Sequence, residues 1–340
     1  MNGYDYIIVG AGSAGCVLAN RLSADSAARV LLIEAGPRDR HPYIHIPLGM
    51  GKMHEHNMFD WGYATEPEPN LNGRRIEAMR GKVLGGSSSI NVMAYTRGHR
   101  GDYDRWAQKG ARGWSYADVL PYFRRCETWE RGENPWRGAT GPIGTEFAKT
   151  RDPLYAAWLE AAKAAGMPVT DDYNGREQEG FGRGQYTIRD GYRSSAATAY
   201  LKPARARPNL TVATGAHACA VTMRGTRATG IKYVGAAGAR IAAAADREVI
   251  LCAGAFNTPP LLMRSGIGPA AHLAEMSIKP VVDLPVGSNL QDHLAVLIFF
   301  ARRGGPAGCS PPAGRRRAQS PCRQDGRPDR SLSASAAAEC

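Results

Sequence analysis

Gly10-Ala11-Gly12-Ser13-Ala14-Gly15 is the first group of residues whose spacing implies chemistry. In a GxGxxG turn the first glycine makes the tight bend. The second lets the main chain approach a pyrophosphate, and the third lets helix and strand pack closely. A helix starting at Ser13 would offer free N–H groups and a positive dipole end to phosphates. Glu34 and Ala35 follow about twenty residues later. A carboxylate at that distance accepts the hydroxyl protons of an adenosine ribose and repels a 2′-phosphate, which disfavours NADP. The turn alone does not choose between FAD and NAD.

These residues need a strand, a helix and a second strand to position them, and the flanking pattern predicts all three. Tyr4–Val9 is a short apolar run ending at Gly10, as expected of a buried strand. Val17, Leu18 and Leu22 recur at helical spacing, and Ala19 extends a GxxxA spacing from Gly15. Arg29–Glu34 reads as the second strand, giving a parallel βαβ unit. Further strands are expected at 210–214, 230–234 and 248–253. Ser115 suits a helix N-cap, and Pro121 should end or kink that helix. Asp152, Pro153 and Gly166 suit the cap, first turn and exit of a helix over the intervening residues. Residues 35–80 show no period and read as a long ordered excursion.

A second glycine-rich block runs Gly81-Lys82-Val83-Leu84-Gly85-Gly86-Ser87-Ser88-Ser89-Ile90-Asn91 and continues through Val92-Met93-Ala94 to Asp104. It resembles the first signature of the glucose–methanol–choline family of flavin oxidoreductases. Gly254-Ala255-Phe256-Asn257-Thr258-Pro259, ending Ser265-Gly266-Ile267-Gly268, resembles the second signature. Val286–His293 is similar to the segment that closes the family's N-terminal flavin region. The resemblance covers about residues 4–300 and decides the cofactor as FAD. It implies a Rossmann-like α/β FAD-binding domain, from 1–150 and 195–300, interrupted by part of an inserted substrate domain at 151–194.

By the same resemblance, Val83 and Asn91-Val92-Met93-Ala94 lie beside the isoalloxazine, Val221 lies on the adenine side, and Trp61 lines the cofactor. Gly85 and Gly86, with Ser87 and Ser88, bring backbone N–H groups close to the flavin ring. Some members bond flavin covalently through a histidine just before the asparagine of the first signature. Ile90 stands there, so the FAD is expected to be non-covalent.

The family oxidises a primary alcohol, of the choline or alkanol kind, to an aldehyde by hydride transfer to flavin N5. A histidine near a His-Pro-x-Gly-Thr-like motif takes the hydroxyl proton. That motif is absent here, and His293 is the last of eight histidines. His41, His45, His54, His56, His99, His217 and His272 show no carboxylate or nucleophile constellation, so no catalytic residue is identified. The chain is therefore read as C-terminally truncated, and a non-catalytic flavin-binding fragment is the alternative reading.

Composition excludes other classes. Residues 301–340 contain eight Arg, no aromatic residue and one large aliphatic, which predicts disorder; the abrupt change after Phe300 resembles a frame-shift scar. The net charge of +12 is partly this tail, with no basic stripe elsewhere, so nucleic acid is not expected. Seven cysteines without a CxxC pair argue against zinc and against a disulfide framework. Free thiols, no secretory signal and no apolar stretch long enough to span a membrane point to the cytoplasm, with peripheral membrane association left open. The expected partners are a small alcohol and an electron acceptor that the residues do not identify.

Overall fold

The computed structural model describes residues 3–293. Residues through Val286 form one compact unit, and a second begins at Gly287. Residues 294–300 and the tail at 301–340 lie outside the described residues.

The first unit is built on a six-stranded sheet. Its strands are β1 (Gly3–Val9), β2 (Val30–Glu34), β6 (Leu210–Thr214), β7 (His217–Arg224), β8 (Arg227–Val234) and β9 (Arg240–Leu251), in the order β6-β2-β1-β9-β8-β7. A smaller sheet holds β3 (Glu127–Trp129), β4 (Ile143–Phe147) and β5 (Gln185–Tyr186). Strands β6, β2, β1 and β9 run parallel, with Ile7 paired to Leu31 on one side and Val249 on the other. β9, β8 and β7 continue as an antiparallel meander.

β1 is central, so both faces of it must be covered, and its continuous apolar run meets that need. Ile8 packs with Val30, Leu32 and Leu201 on one face, beneath α1 (Ser13–Leu22). Ile7 and Val9 pack with Leu31, Ile33, Val221 and Leu261 on the other. Leu261 belongs to α4 (Gly254–Arg264). Each such fully buried aliphatic contributes about 1.5–3 kcal/mol.

The parallel βαβ unit stands as expected. Three other expectations need correction. Pro121 does not stop its helix: α2 spans Tyr116–Cys126, started by a capping box in which Ser115 and Asp118 bond reciprocally. A cap at one end and a surface position for the proline ring let the helix tolerate the missing N–H. β9 begins eight residues before the expected strand, and β7 was not expected at all. Both gain from alternation of small residues, Ala243 and Ala245 in β9 and Cys219 and Val221 in β7, which carry little apolar signal. Residues 35–80 are ordered but include short helices at Pro42–His45 and Gly49–Glu55. The helix capped by Asp152 is present as α3 (Pro153–Ala164), and Gly166 leaves it at φ +71.

The small sheet is held by a buried charge cluster. Glu127 is fully buried and accepts hydrogen bonds from Arg97 (2.8 Å), from Arg137 (2.6 and 2.9 Å) and from the Thr145 hydroxyl. Arg137 also reaches Asp172 and Gln185, and its guanidinium lies 3.8 Å from the Trp129 ring centroid. Among the described residues Cys16, Cys126 and Cys252 are free thiols. Also among the described residues, no helix is long and apolar enough to cross a membrane.

Removing one partner of a buried ion cluster strands the others without counter-charge. Glu127→Ala should therefore lower stability by about 3–5 kcal/mol in urea unfolding. A loss below about 1 kcal/mol would contradict the assigned role.

Candidate cofactor site

The two glycine blocks meet. The N–H of Gly85 donates to the Ala11 carbonyl (2.8 Å), and a methyl group added at Gly86 would lie 2.8 Å from the Cα of Gly12. A methyl at Gly15 would come within 1.9 Å of the Gly10 carbonyl oxygen, so the third glycine is required for α1 to lie against β1. Gly12 differs: a methyl there meets nothing within 4 Å. The main chain at Gly12 borders open space.

That space is a cleft of about 550 Å³. Its walls are Gly10 and Gly12 to Ala14 at the start of α1, Glu34 and Ala35 at the end of β2, Gly86 and Ser87, Trp61, Ala216 to Ala218 before and within β7, and Leu251 to Thr258 entering α4. The helices α1 and α4 both begin at this cleft. Neither has a side-chain cap or an acidic residue in its first turn. Their first N–H groups and positive dipole ends therefore remain available to an anion.

Glu34 closes the opposite wall. Its Oε2 accepts the Ala11 N–H (2.8 Å), and Oε1 accepts the Gly36 N–H (2.9 Å). The carboxylate thereby ties the first glycine turn to the end of β2. Each oxygen keeps a further acceptor site. Burial pushes the pKa of Glu34 above the usual range, opposed by the two N–H bonds and by Lys82.

Aromatic residues form the outer rim. Trp61 stacks on Tyr63 with centroids 5.8 Å apart and planes 6° from parallel. The Lys82 ammonium sits 4.6 Å from the Trp61 centroid, and the His217 ring meets Trp61 edge-on. Tyr63 donates to Asn257 (2.5 Å). Arg264 also lines the cleft; its Nε donates to the Cys219 carbonyl, and burial lowers its pKa.

Of the residues expected at the cofactor, Gly10, Gly12, Ser13, Ala14, Glu34, Ala35, Trp61 and Gly86 line this cleft. Gly15 and Gly85 support it through the backbone contacts above. Val83 and Val221 are core residues, packed with Ile44 and with Ile231 respectively. Asn91, Val92, Met93 and Ala94 lie farther along the second block, outside the cleft wall. There Asn91 Oδ1 accepts the Met93 N–H, and Met93 adopts a left-handed φ of +64. The sequence reading had passed over Ala216, His217, Phe256, Asn257 and Arg264. The second signature was the available signal for Phe256 and Asn257; nothing local marks the others.

Three of the histidines have structural tasks. His41 and His99 accept N–H bonds at helix N-termini, and His45 bonds the Asp39 carbonyl. His293 lies in the second unit, its N–H bonded to Asp292. Among the described residues no group of His, Cys, Asp or Glu is placed to hold a metal.

Residues 4–295 match the family model for GMC oxidoreductases, which is nearly the whole described chain. The chain belongs to the GMC oxidoreductase family. It is 52% identical over 292 residues to an oxygen-dependent choline dehydrogenase of Sinorhizobium fredii, covering 85% of this chain and 53% of that protein. It is 50% identical over 295 residues to the same-named protein of Brucella ovis, covering 86% and 53%. The chain thus spans about half the length of these curated relatives. Among solved structures it is similar to a pyridoxine 4-oxidase from Mesorbium loti, with 38% identity and a TM-score of 0.78 over 83% of this chain and 56% of that one. A formate oxidase of Aspergillus oryzae matches at 32% identity and TM-score 0.76, over 83% and 51%.

Gly12 and Gly15 separate binding from folding. Gly12→Ala should change stability by less than about 1 kcal/mol, while the added methyl obstructs the approach of a pyrophosphate and ADP binding is lost in calorimetry. Gly15→Ala should cost about 2–3 kcal/mol or more by overpacking, read as a fall in Tm. Equal Tm losses for both variants would be inconsistent with this division.

Proposed function

We propose that this chain forms the FAD-binding part of an enzyme that oxidises a primary alcohol, of the choline or alkanol kind, to its aldehyde. The observation that carries the reading is the direct contact between the two glycine turns beside one cleft. An extended ligand with a pyrophosphate near its middle needs such adjoining main-chain surfaces. The choline dehydrogenase relatives support the substrate class, and the name of one formate oxidase structure refers to FAD modification.

The residues present fit FAD. The open space at Gly12 and the uncapped start of α1 suit the pyrophosphate. Glu34 is assigned to the ribose hydroxyls, with Ala35 beside it, and Trp61 to the adenosine end. Gly85 and Gly86, then Asn91 to Ala94, are assigned to the flavin end, with Val83 and Val221 packing behind the ligand. When bound, FAD supplies the two-electron acceptor for the hydride of the alcohol carbon. The chain's own part is to bind and orient it. We assign no proton-abstracting base to these histidines. The electron acceptor that reoxidises the flavin is left unnamed.

We assign residues 1–150 and 195–300 to cofactor binding and 151–194 to the start of a substrate domain. In support, no residue of 151–194 lines the cleft. We further propose that the FAD is non-covalent. Ile90 is buried beside Ile44 and Val83, and its side chain has no atom that bonds flavin.

Two experiments test this reading. Purified chain with FAD should be yellow, and acid precipitation should release the colour to the supernatant. Choline or a primary alkanol added anaerobically should then bleach the bound flavin of a fresh sample. Colour retained in the pellet would refute non-covalent binding, and bound flavin that no alcohol reduces would refute activity in this chain.

A third experiment uses pH. A raised Glu34 pKa means that the carboxyl gains its proton at a higher pH than an ordinary glutamate. Its buried charge weakens the empty fold at neutral pH, and that cost is relieved as pH falls through the raised pKa. Ribose binding needs the ionised form. FAD affinity, followed by fluorescence quenching, should therefore decline as pH falls through the raised Glu34 pKa, beginning above the ordinary glutamate range. Glu34→Gln should abolish that dependence. An unchanged slope in the variant would remove Glu34 from the role.

A further inference from the structure

Among the described residues Arg193 is a buried cation with no carboxylate paired to it. It ends the hairpin Ile188–Arg189/Tyr192–Arg193 and is 2% exposed. Its bonds go to main-chain carbonyls and one amide. Nε donates to the Ile44 carbonyl (2.7 Å). Nη1 donates to the carbonyls of Ser88 (3.2 Å) and Asn91 (2.8 Å) and to Asn91 Oδ1 (2.8 Å). Nη2 is buried and has no hydrogen-bond partner. Among the described residues no acidic side chain forms an ion pair with it, and burial alone lowers its pKa to about 10.

An unpaired buried guanidinium is costly, so its retention needs a compensating task. The bonds show what it holds. Ser88 to Asn91 is the stretch of the second glycine block just beyond the cleft wall. Asn91 passes the constraint on, since the same Oδ1 that accepts from Arg193 also accepts the Met93 N–H. Met93 is held at φ +64, a left-handed conformation that a methionine leaves unless its surroundings fix it. The Met93 carbonyl in turn accepts the Thr187 N–H, at the base of the Arg193 hairpin. The chain of bonds closes on itself.

Resting on the FAD reading above, we infer that Arg193 is a positioning residue for the flavin end of the site: it fixes the Ser88–Met93 backbone and places an unneutralised positive charge behind it. Electron density added to the flavin is stabilised by such a charge, so Arg193 raises the reduction potential of the bound cofactor. The adenosine end, at Gly12 and Glu34, is untouched by it.

Full-length chains carrying Arg193→Met and Arg193→Lys test this against ADP as a probe of the adenosine end. Both variants should bind ADP with the parent's affinity in calorimetry. Arg193→Met should bind FAD about ten-fold more weakly or worse, as loss of a charged hydrogen-bonding group implies. Its bound flavin should have a lower midpoint potential, and Arg193→Lys, which keeps the charge, should recover most of that fall. Parent-like FAD affinity and potential in Arg193→Met would overturn the inference. So would equal losses of ADP and FAD binding, which would mark Arg193 as a general fold element. A parent that binds ADP but no FAD would instead refute the flavin reading.

Discussion

The structure depends on main-chain surfaces touching where side chains would normally keep them apart. Gly86 lies against the Cα of Gly12, and Gly85 bonds the Ala11 carbonyl. Two turns some seventy residues apart thereby become one surface. Close-packed interiors tolerate no added methyl at such a contact without displacement. The sheet exists to deliver this contact: β1 and β2 carry the first turn on a core buried on both faces, and the second turn folds onto it. The cleft is the space left beside the junction.

Polar groups around that junction are deliberately incomplete. α1 and α4 begin without side-chain caps, Glu34 is buried with acceptor capacity to spare, and Arg193 keeps one unbonded nitrogen. Each would cost stability in a protein with no ligand. Away from the cleft several polar groups are completed, although the buried Nε of Arg124 has no hydrogen-bond partner and the helices Gly49–Glu55 and Ala270–Glu275 also start without a side-chain cap. Glu127, Arg97 and Arg137 form a saturated cluster, and His41, His99, Ser115 and Asp152 cap their helices. Electrostatic attraction for an anionic, extended ligand follows from the two helix starts, with Arg80 and Arg264 in the wall.

Much of this was legible in the residues. The order strand, glycine turn, helix, strand, and the carboxylate at Glu34, follow from local pattern alone. So do the caps at Ser115 and Asp152, whose chemistry is contained within a few residues. What was not legible depends on distance or on small residues. Gly86 meeting Gly12 is a tertiary contact between two motifs that each look complete. β7 and the first half of β9 alternate alanines and cysteine, so their burial leaves little trace in hydropathy. Pro121 broke a local rule because the helix start was already secured. Arg193 gave no signal, since an arginine in a hairpin ordinarily faces water.

The most direct measurement compares ligands that carry one end or both. Calorimetric titration of the full chain with ADP, with FMN and with FAD gives three dissociation constants. If the joined glycine turns bind the two halves of one molecule, FAD binds with one-to-one stoichiometry and about a hundred-fold or more tighter than either partial ligand. If ADP binds as tightly as FAD, the second glycine block adds nothing to the grip, and the central claim fails.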